Sequence, residues 1–219
     1  MSRFAINNNC LYAIAETNRI NVFDISNHNS PTLSNEINVN TWTTLETLFK
    51  HENNLYIGAE NGMYIYDISG SCNAVYVSDF QHARACDPIV VGDGYAYYTL
   101  RTGGACGNWR NTLNVVDVSK ISTPRQVETI SMSSPYGLGL DVVEKKLFVC
   151  DGGNGIVVYN TKIPENLGNS ELEKITDLDA YDVIPLNGTL FVSGNQGIYQ
   201  YDYVSNSKLK LLSVLTANQ

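Results

Sequence analysis

Short apolar stretches that end in Asp or Asn recur along the chain at nearly constant spacing. They are rich in β-branched and aromatic residues, a composition typical of β-strands. The stretches occupy residues 20–24, 63–67, 113–117, 156–160 and 198–202. Their final residues, which we call the anchors, are spaced by 43, 50, 43 and 42 positions and are Asp24, Asp67, Asp117, Asn160 and Asp202. This regularity indicates an internal repeat in which the anchors occupy equivalent positions.

Three further apolar segments accompany each stretch. One lies immediately before it, at residues 11–14, 55–58, 95–98, 147–150 and 190–193. Another precedes that one, at residues 4–6, 47–49, 88–91, 142–143 and 183–186. A fourth follows the anchor, as at residues 75–77 and 211–215. Turn-forming pairs such as Asn61-Gly62 and Asn187-Gly188 separate the segments, so each unit predicts four short strands.

Four short strands in about 43 residues is the spacing of one β-propeller blade. A four-stranded sheet has two faces to cover, and stacking sheets around a common axis covers both. A β-helix would show a shorter repeat, and a helical solenoid would show a 3.6-residue period. We therefore predict an all-β chain, a single β-propeller domain of five four-stranded blades, with repeats at approximately 1–40, 41–81, 82–132, 133–177 and 178–219.

Closure of the ring is not fixed by the repeat. Many propellers close by combining strands from both chain ends in one blade, but here the first repeat begins with the innermost strand and the last ends with the outermost. The sequence therefore leaves two alternatives, five blades that close edge to edge and a ring that stays open.

Charge and hydropathy exclude two classes of partner. The formal net charge is −8, whereas phosphate binding needs clustered Lys and Arg, so we predict no nucleic-acid partner. No run of about 18 apolar residues is present, which predicts no transmembrane segment. The first residues show no apolar signal region, so a cytosolic location and a leader outside this sequence both stay open.

Charged residues are expected at the mouth of the central channel, where the innermost strands begin. The residues at the predicted strand starts are Arg3, Glu46, Asp87, Asp141 and Asp182. Four carboxylates in one ring suit a hard cation, so a calcium site formed by Glu46, Asp87, Asp141 and Asp182 is one hypothesis. The alternative is that each acid caps backbone N–H groups of neighbouring loops.

Rings and polar groups on the same loops suggest a binding surface. Repeat three carries an insertion at 101–111, which accounts for its longer spacing. Flat rings beside polar groups suit a glycan, a peptide or a protein partner, and the alternative is that they plug the channel. The candidate ligand-binding residues are Trp42, His82, Arg101, Trp109, Tyr136 and Tyr181.

Signs of catalysis are weak. Three histidines are present, and neither a GxSxG elbow nor an HExxH motif occurs. The sequence therefore favours a non-catalytic binding or scaffolding module that presents one loop face, with no catalytic residue assigned. The alternative is a calcium-dependent hydrolase or lactonase that uses the acidic ring, and a third hypothesis is a purely structural interaction domain.

Several segments resemble the LVIVD-repeat family of Bacteroidetes-type bacteria. The resemblance rests on Val-Phe-Asp-Ile-Ser at 22–26 and Val-Val-Asp-Val-Ser at 115–119. It is also carried by residues 85–88, 97–101, 135–139, 148–152 and 181–188. It implies a β-propeller and an extracytoplasmic, outer-membrane or cell-surface lipoprotein. Since members of that family look longer, it also implies that these five blades belong to a larger propeller.

The five cysteines contain no CxxC pair, so a structural zinc site is not expected. Cys10 and Cys150 fall on predicted strands and are expected to be buried thiols, and Cys72 has no evident partner. Cys86 and Cys106 belong to one face of repeat three, and their spacing allows either a disulfide or two free thiols. The family resemblance favours the disulfide, which would indicate an oxidising compartment.

Overall fold

The computed structural model describes residues 2–39, 42–81, 88–102, 110–205 and 208–216. Twenty β-strands and one 3₁₀ helix, Pro164–Asn169, lie within these residues. No described helix has the length and apolar character needed to span a membrane. The strands in chain order are β1 Phe4–Asn7, β2 Cys10–Ile14, β3 Arg19–Asp24, β4 Thr32–Asn38, β5 Leu45–His51, β6 Asn54–Ala59, β7 Gly62–Asp67, β8 Val75–Gln81, β9 Ile89–Gly92, β10 Tyr95–Leu100, β11 Thr112–Asp117, β12 Arg125–Ser131, β13 Leu138–Asp141, β14 Lys146–Cys150, β15 Ile156–Asn160, β16 Glu171–Ile175, β17 Ala180–Leu186, β18 Thr189–Gly194, β19 Gly197–Asp202 and β20 Lys210–Thr216.

The strands form five four-stranded antiparallel sheets, each made of four consecutive strands. We call the sheets blades 1 to 5 and their strands A to D in chain order. The A strands contact one another in sequence, β1 with β5, β5 with β9, β9 with β13, and β13 with β17. The A strands therefore lie innermost around a common axis, as predicted. B–C and D–A connections lie on one side, the top face, and A–B and C–D connections lie on the bottom face.

All five anchors make the same turn at the end of strand C. Each side chain accepts a hydrogen bond of 2.7–3.0 Å from the backbone N–H two residues later. The N–H of the intervening residue donates to a carbonyl of the A–B turn, as Ile68 does to Asn53 and Val118 does to Gly94. Anchors spaced by 42 to 50 residues therefore occupy equivalent positions, which confirms the repeat.

These turns predict a specific loss of stability in acid. Hydrogen bonds from the following residues lower the pKa of the four anchor carboxyls, those of Asp24, Asp67, Asp117 and Asp202. A lowered folded-state pKa gives stability that is present above the unfolded pKa of about 3.9 and is lost as the pH falls through the folded value.

Replacing all four anchor carboxyls with Asn, the residue already present at position 160, should keep the turns and remove their titration. We expect thermal unfolding from pH 6 to pH 3 to show a smaller drop in unfolding temperature for this variant than for the wild type. Equal drops would contradict the role of the anchors in acid.

Apolar cores between consecutive blades hold the sheets together. Each blade has a front face toward the next blade and a back face toward the previous one. Between blades 1 and 2, Tyr12 and Ile20 on the front face of blade 1 pack in one cluster with Leu55, Ile57 and Tyr64 on the back face of blade 2. Equivalent clusters join blades 2 and 3, 3 and 4, and 4 and 5.

Blade 4 differs from its prediction. Val142 and Val143 were expected in strand A, but that strand is Leu138–Asp141 and the two valines lie in the A–B turn. The Asp141 carboxylate accepts hydrogen bonds from the N–H groups of Val143 and Glu144, which closes the turn. Within this strand, Gly139 allows strand A of blade 5 to pack closely, because an added Cβ would lie 2.5 Å from the Pro185 ring.

The cysteine predictions were partly wrong. Cys10 forms a disulfide with Cys72, with the two Cα atoms 5.2 Å apart, so neither is a thiol without a partner. Cys10 opens strand B of blade 1 and Cys72 lies in the C–D loop of blade 2. Both positions belong to the bottom face of adjacent blades, which brings together residues 62 positions apart. Cys150 is a buried free thiol, as predicted, while Cys86 and Cys106 lie outside the described residues.

Candidate functional site

Three predicted binding residues from three different blades meet on the top face. The guanidinium carbon of Arg101 lies 4.0 Å from the centre of the Tyr136 ring, a cation–π contact. The Tyr136 ring meets the Tyr181 ring edge-on, with centroids 5.6 Å apart and planes at 70°. Tyr181 is 41% exposed. We call these three residues the Arg–Tyr cluster.

The backbone around Tyr136 is fixed from both sides. Its N–H donates to the Cys150 carbonyl at 2.7 Å, and its carbonyl accepts the Thr99 hydroxyl at 3.1 Å. The next residue, Gly137, donates its N–H to the Tyr181 carbonyl at 2.9 Å, which joins blades 4 and 5 at this point. Backbone hydrogen bonds therefore hold both rings in place, Tyr136 in the loop before β13 and Tyr181 on β17, an arrangement that lowers the entropic cost of ligand binding.

A buried carboxylate supports the same loop. Asp151 accepts hydrogen bonds from the backbone N–H groups of Ser133 and Ser134, the closest at 2.6 Å. Asp151 and Thr99 were not identified from the sequence. The Asp151-Gly152 pair after strand B was a usable signal, because an acid beside glycine is typical of a residue that organises a turn.

The central channel shares one strand, β17, with the Arg–Tyr cluster. A cavity of about 640 Å³ lies between the A strands of all five blades. Its wall is mainly apolar and includes Phe4, Phe49 and Ile184, whereas Arg3 and Asp182 supply charge. Asp182 directly follows Tyr181 on β17, so the strand that carries the exposed ring also lines the cavity.

The predicted acidic ring is not assembled as expected. Asp141 ends its strand instead of starting it, and accepts a 2.5 Å hydrogen bond from the Tyr203 hydroxyl on the bottom face. Burial alone would raise the pKa of Asp141, but hydrogen bonds from Tyr203 and from the turn N–H groups lower it overall. The assignment of Asp141 to a site at the channel mouth was wrong, because its strand starts three residues earlier than predicted.

Among the residues with described positions, the remaining acids form no recognisable metal site. Burial, and secondarily the charge of Glu60, raise the pKa of Glu46, while Arg3 opposes the shift. The described ranges contain no group of three His, Cys, Asp or Glu side chains placed to hold a metal ion. Asp87 lies outside those ranges, so calcium binding by Glu46, Asp87 and Asp182 stays a prediction.

Of the other three predicted binding residues, the structure describes Trp42. Trp42 is 84% exposed in the connection between blades 1 and 2. His82 and Trp109 lie outside the described residues, as does most of the insertion between β10 and β11. Of the six predicted ligand-binding residues, the structure therefore unites Arg101, Tyr136 and Tyr181.

Solved structures match the chain over nearly its whole length. A functionally unknown protein from Desulfotomaculum acetoxidans matches 98% of the chain with a TM-score of 0.79 at 11% identity, over 69% of its own length. BamB from Moraxella catarrhalis matches 98% with a TM-score of 0.63 at 15% identity, over 63% of its length. AztD from Citrobacter koseri matches 97% with a TM-score of 0.63 at 11% identity, over 62% of its length. The fold is a β-propeller.

The similarity establishes the propeller fold alone, because the sequences are far apart. The chain spans less than two thirds of the BamB chain that it matches. No protein-family model matches the chain, and no curated protein sequence is significantly similar to it. Membership in the LVIVD-repeat family therefore stays a prediction.

Proposed function

We propose that this propeller is a non-catalytic binding module that captures a peptide segment of a partner protein on its top face. The observation that carries the proposal is the Arg–Tyr cluster, in which the strand of Tyr181 also lines the apolar channel. Exposed Tyr and Arg side chains on a rigid base are typical of residues that dominate binding energy.

The chemistry of the surface favours a peptide. The Tyr181 ring offers a flat apolar surface, and the Arg101 guanidinium offers planar donors for carbonyl or carboxylate oxygens. The apolar channel beneath has room for a side chain of the peptide. A glycan would use the rings but would gain little from the apolar wall formed by Phe4, Phe49 and Ile184.

The proposal predicts a loss of affinity without loss of fold. Peptides selected from a random display library against the wild-type propeller should bind Tyr181→Ala and Arg101→Lys at least about tenfold more weakly, the usual effect of removing one dominant contact. Arg101→Lys keeps the charge and removes the planar stacking. Titration calorimetry measures the affinities, and thermal unfolding should be nearly unchanged.

Tyr76→Ala provides the matched control, because Tyr76 is a tyrosine on strand D of blade 2 that is at least as exposed as Tyr181. It should leave peptide affinity unaltered. Selected peptides that bind all variants equally would contradict the proposal, and so would binding confined to members of a glycan array.

A hydrolase or lactonase gains no support from the site. The alternative depended on four carboxylates at the channel mouth, and Asp141 is on the bottom face. Propellers host many unrelated activities, so the fold assigns no reaction.

We also propose an extracytoplasmic location. The Cys10–Cys72 disulfide supports it, since such bonds persist in oxidising compartments. The narrower assignment to an outer-membrane or cell-surface lipoprotein rests on the LVIVD resemblance alone.

A further inference from the structure

Two blade faces are left without a covering blade. Apolar clusters join each blade to the next from blade 1 to blade 5. Among the described residues, no such cluster joins blade 5 back to blade 1. The front face of blade 5 and the back face of blade 1 are therefore the two open faces of the ring.

The front face of blade 5 has the side chains of a blade interface. The fourth residue before each anchor faces the next blade, and in blades 1 to 4 it is almost fully buried, as Ile20, Met63, Leu113 and Ile156. Its counterpart in blade 5, Ile198, is 44% exposed. Leu215, paired with Ile198 across strands C and D, is 57% exposed. Blade 5 thus has an apolar residue at this position although no described blade covers it.

The back face of blade 1 shows the same contrast. Phe4 pairs with the B-strand residue Ala13, and Leu48 in blade 2 pairs with the equivalent residue Ile57. Leu48 is 3% exposed because blade 1 covers it, whereas Phe4 is 59% exposed. Ile6 and Leu33, both on blade 1, are also more than half exposed. Two exposed apolar surfaces of this kind are unusual unless something binds there.

We infer that further four-stranded blades of this same repeat occupy the space between the front face of blade 5 and the back face of blade 1. The four internal interfaces show what such faces bind, because each consists of one front face and one back face. The open faces offer one of each kind, so an inserted blade would continue the existing packing on both sides.

The longer solved structures are consistent with additional blades. The Desulfotomaculum protein accommodates the five blades with a TM-score of 0.79 and has about a third of its own chain outside the match. The five blades therefore superpose on part of a longer propeller chain. A complete second copy of the chain, also of five blades, is too large for the remaining part of such a ring.

Blade 2 supplies a probe for the open front face. Its back face already packs on Tyr12, Ile20 and Val22 of blade 1. The residues at those register positions in blade 5 are Phe191, Ile198 and Gln200. A variant should carry Gln200→Val and a second copy of residues 41–81 joined after Thr216, with serine in place of the cysteine in that copy.

We expect the appended blade to fold onto blade 5. Relative to the five-blade chain with Gln200→Val, the unfolding temperature should rise by about 5 °C. The appended residues should resist limited proteolysis, because packing on blade 5 protects them from local unfolding.

Ile198→Asp distinguishes real docking from a general effect of added chain. In the six-blade variant it should abolish the gain in unfolding temperature, while in the five-blade chain it should change that temperature little. Met63→Asp, at the equivalent covered position, should destabilise both chains strongly.

Two results would overturn the inference. One is an appended repeat that is digested by protease while the unfolding temperature stays unchanged. The other is a five-blade chain that dimerises at micromolar concentration in light scattering and becomes monomeric with Ile198→Asp, since a second copy would then cover the face.

Discussion

Replacing Cys10 and Cys72 together with alanine is expected to lower the free energy of unfolding by about 4 kcal/mol. The disulfide closes a loop between residues 62 positions apart, and a loop of this length removes that much conformational freedom from the unfolded chain. A loss of this size is a large part of the 5–15 kcal/mol that stabilises a typical domain. Urea denaturation without reductant measures it.

The control uses Cys86→Ser and Cys106→Ser in every protein compared, which restricts the effect of reductant to one bond. In that background, dithiothreitol should bring the parent protein to the stability of the alanine variant and leave the variant unchanged. Equal stability of the two proteins before reduction would show that Cys10 and Cys72 are not joined.

Gly155→Ala should lower the free energy of unfolding by about 3 kcal/mol, a cost typical of a steric clash combined with backbone strain. Gly155 directly precedes strand C of blade 4 and has a φ of +77°, a left-handed conformation that L side chains rarely adopt. An added Cβ would lie 1.8 Å from the Ile175 carbonyl oxygen on strand D. The strand pair must move apart to admit it.

Gly153→Ala is the matched control in the same loop. An added Cβ there would approach the Asp179 carboxylate at 3.2 Å, without a left-handed backbone. We expect this variant to stay within about 1 kcal/mol of the wild type in urea denaturation. A similar loss in both variants would indicate that loop flexibility, and not contact with strand D, sets the cost.

The strands were predictable because the same order of four apolar segments and turn residues recurs in each repeat. The anchor at the end of strand C fixes the phase, and the strand B segment begins 12 or 13 residues before it in every repeat except the third, where the insertion at 101–111 intervenes. The exception was blade 4, where the apolar pair Val142-Val143 suggested a strand. Pattern alone did not show that Asp141 binds the N–H groups beyond it and forces a turn.

The site was only partly predictable, for a different reason. Arg101, Tyr136 and Tyr181 were recognisable one by one as exposed polar or aromatic loop residues. Their contacts cross three blades, and such contacts depend on the rotation between neighbouring sheets, which no local pattern encodes. The Cys10–Cys72 pair was missed for the same reason, since each cysteine alone looked like an ordinary buried or isolated residue.

The two end blades differ in how they are attached. Each packs against one neighbour through one face, but blade 1 is also covalently linked to blade 2 through Cys10. Among the described residues, blade 5 has no disulfide to blade 4, and the two are joined by side-chain packing around Phe148 and Tyr203 and by hydrogen bonds such as that from Tyr203 to Asp141. In the five-blade chain, local unfolding should therefore start at blade 5 and proceed toward the cross-linked blades 1 and 2.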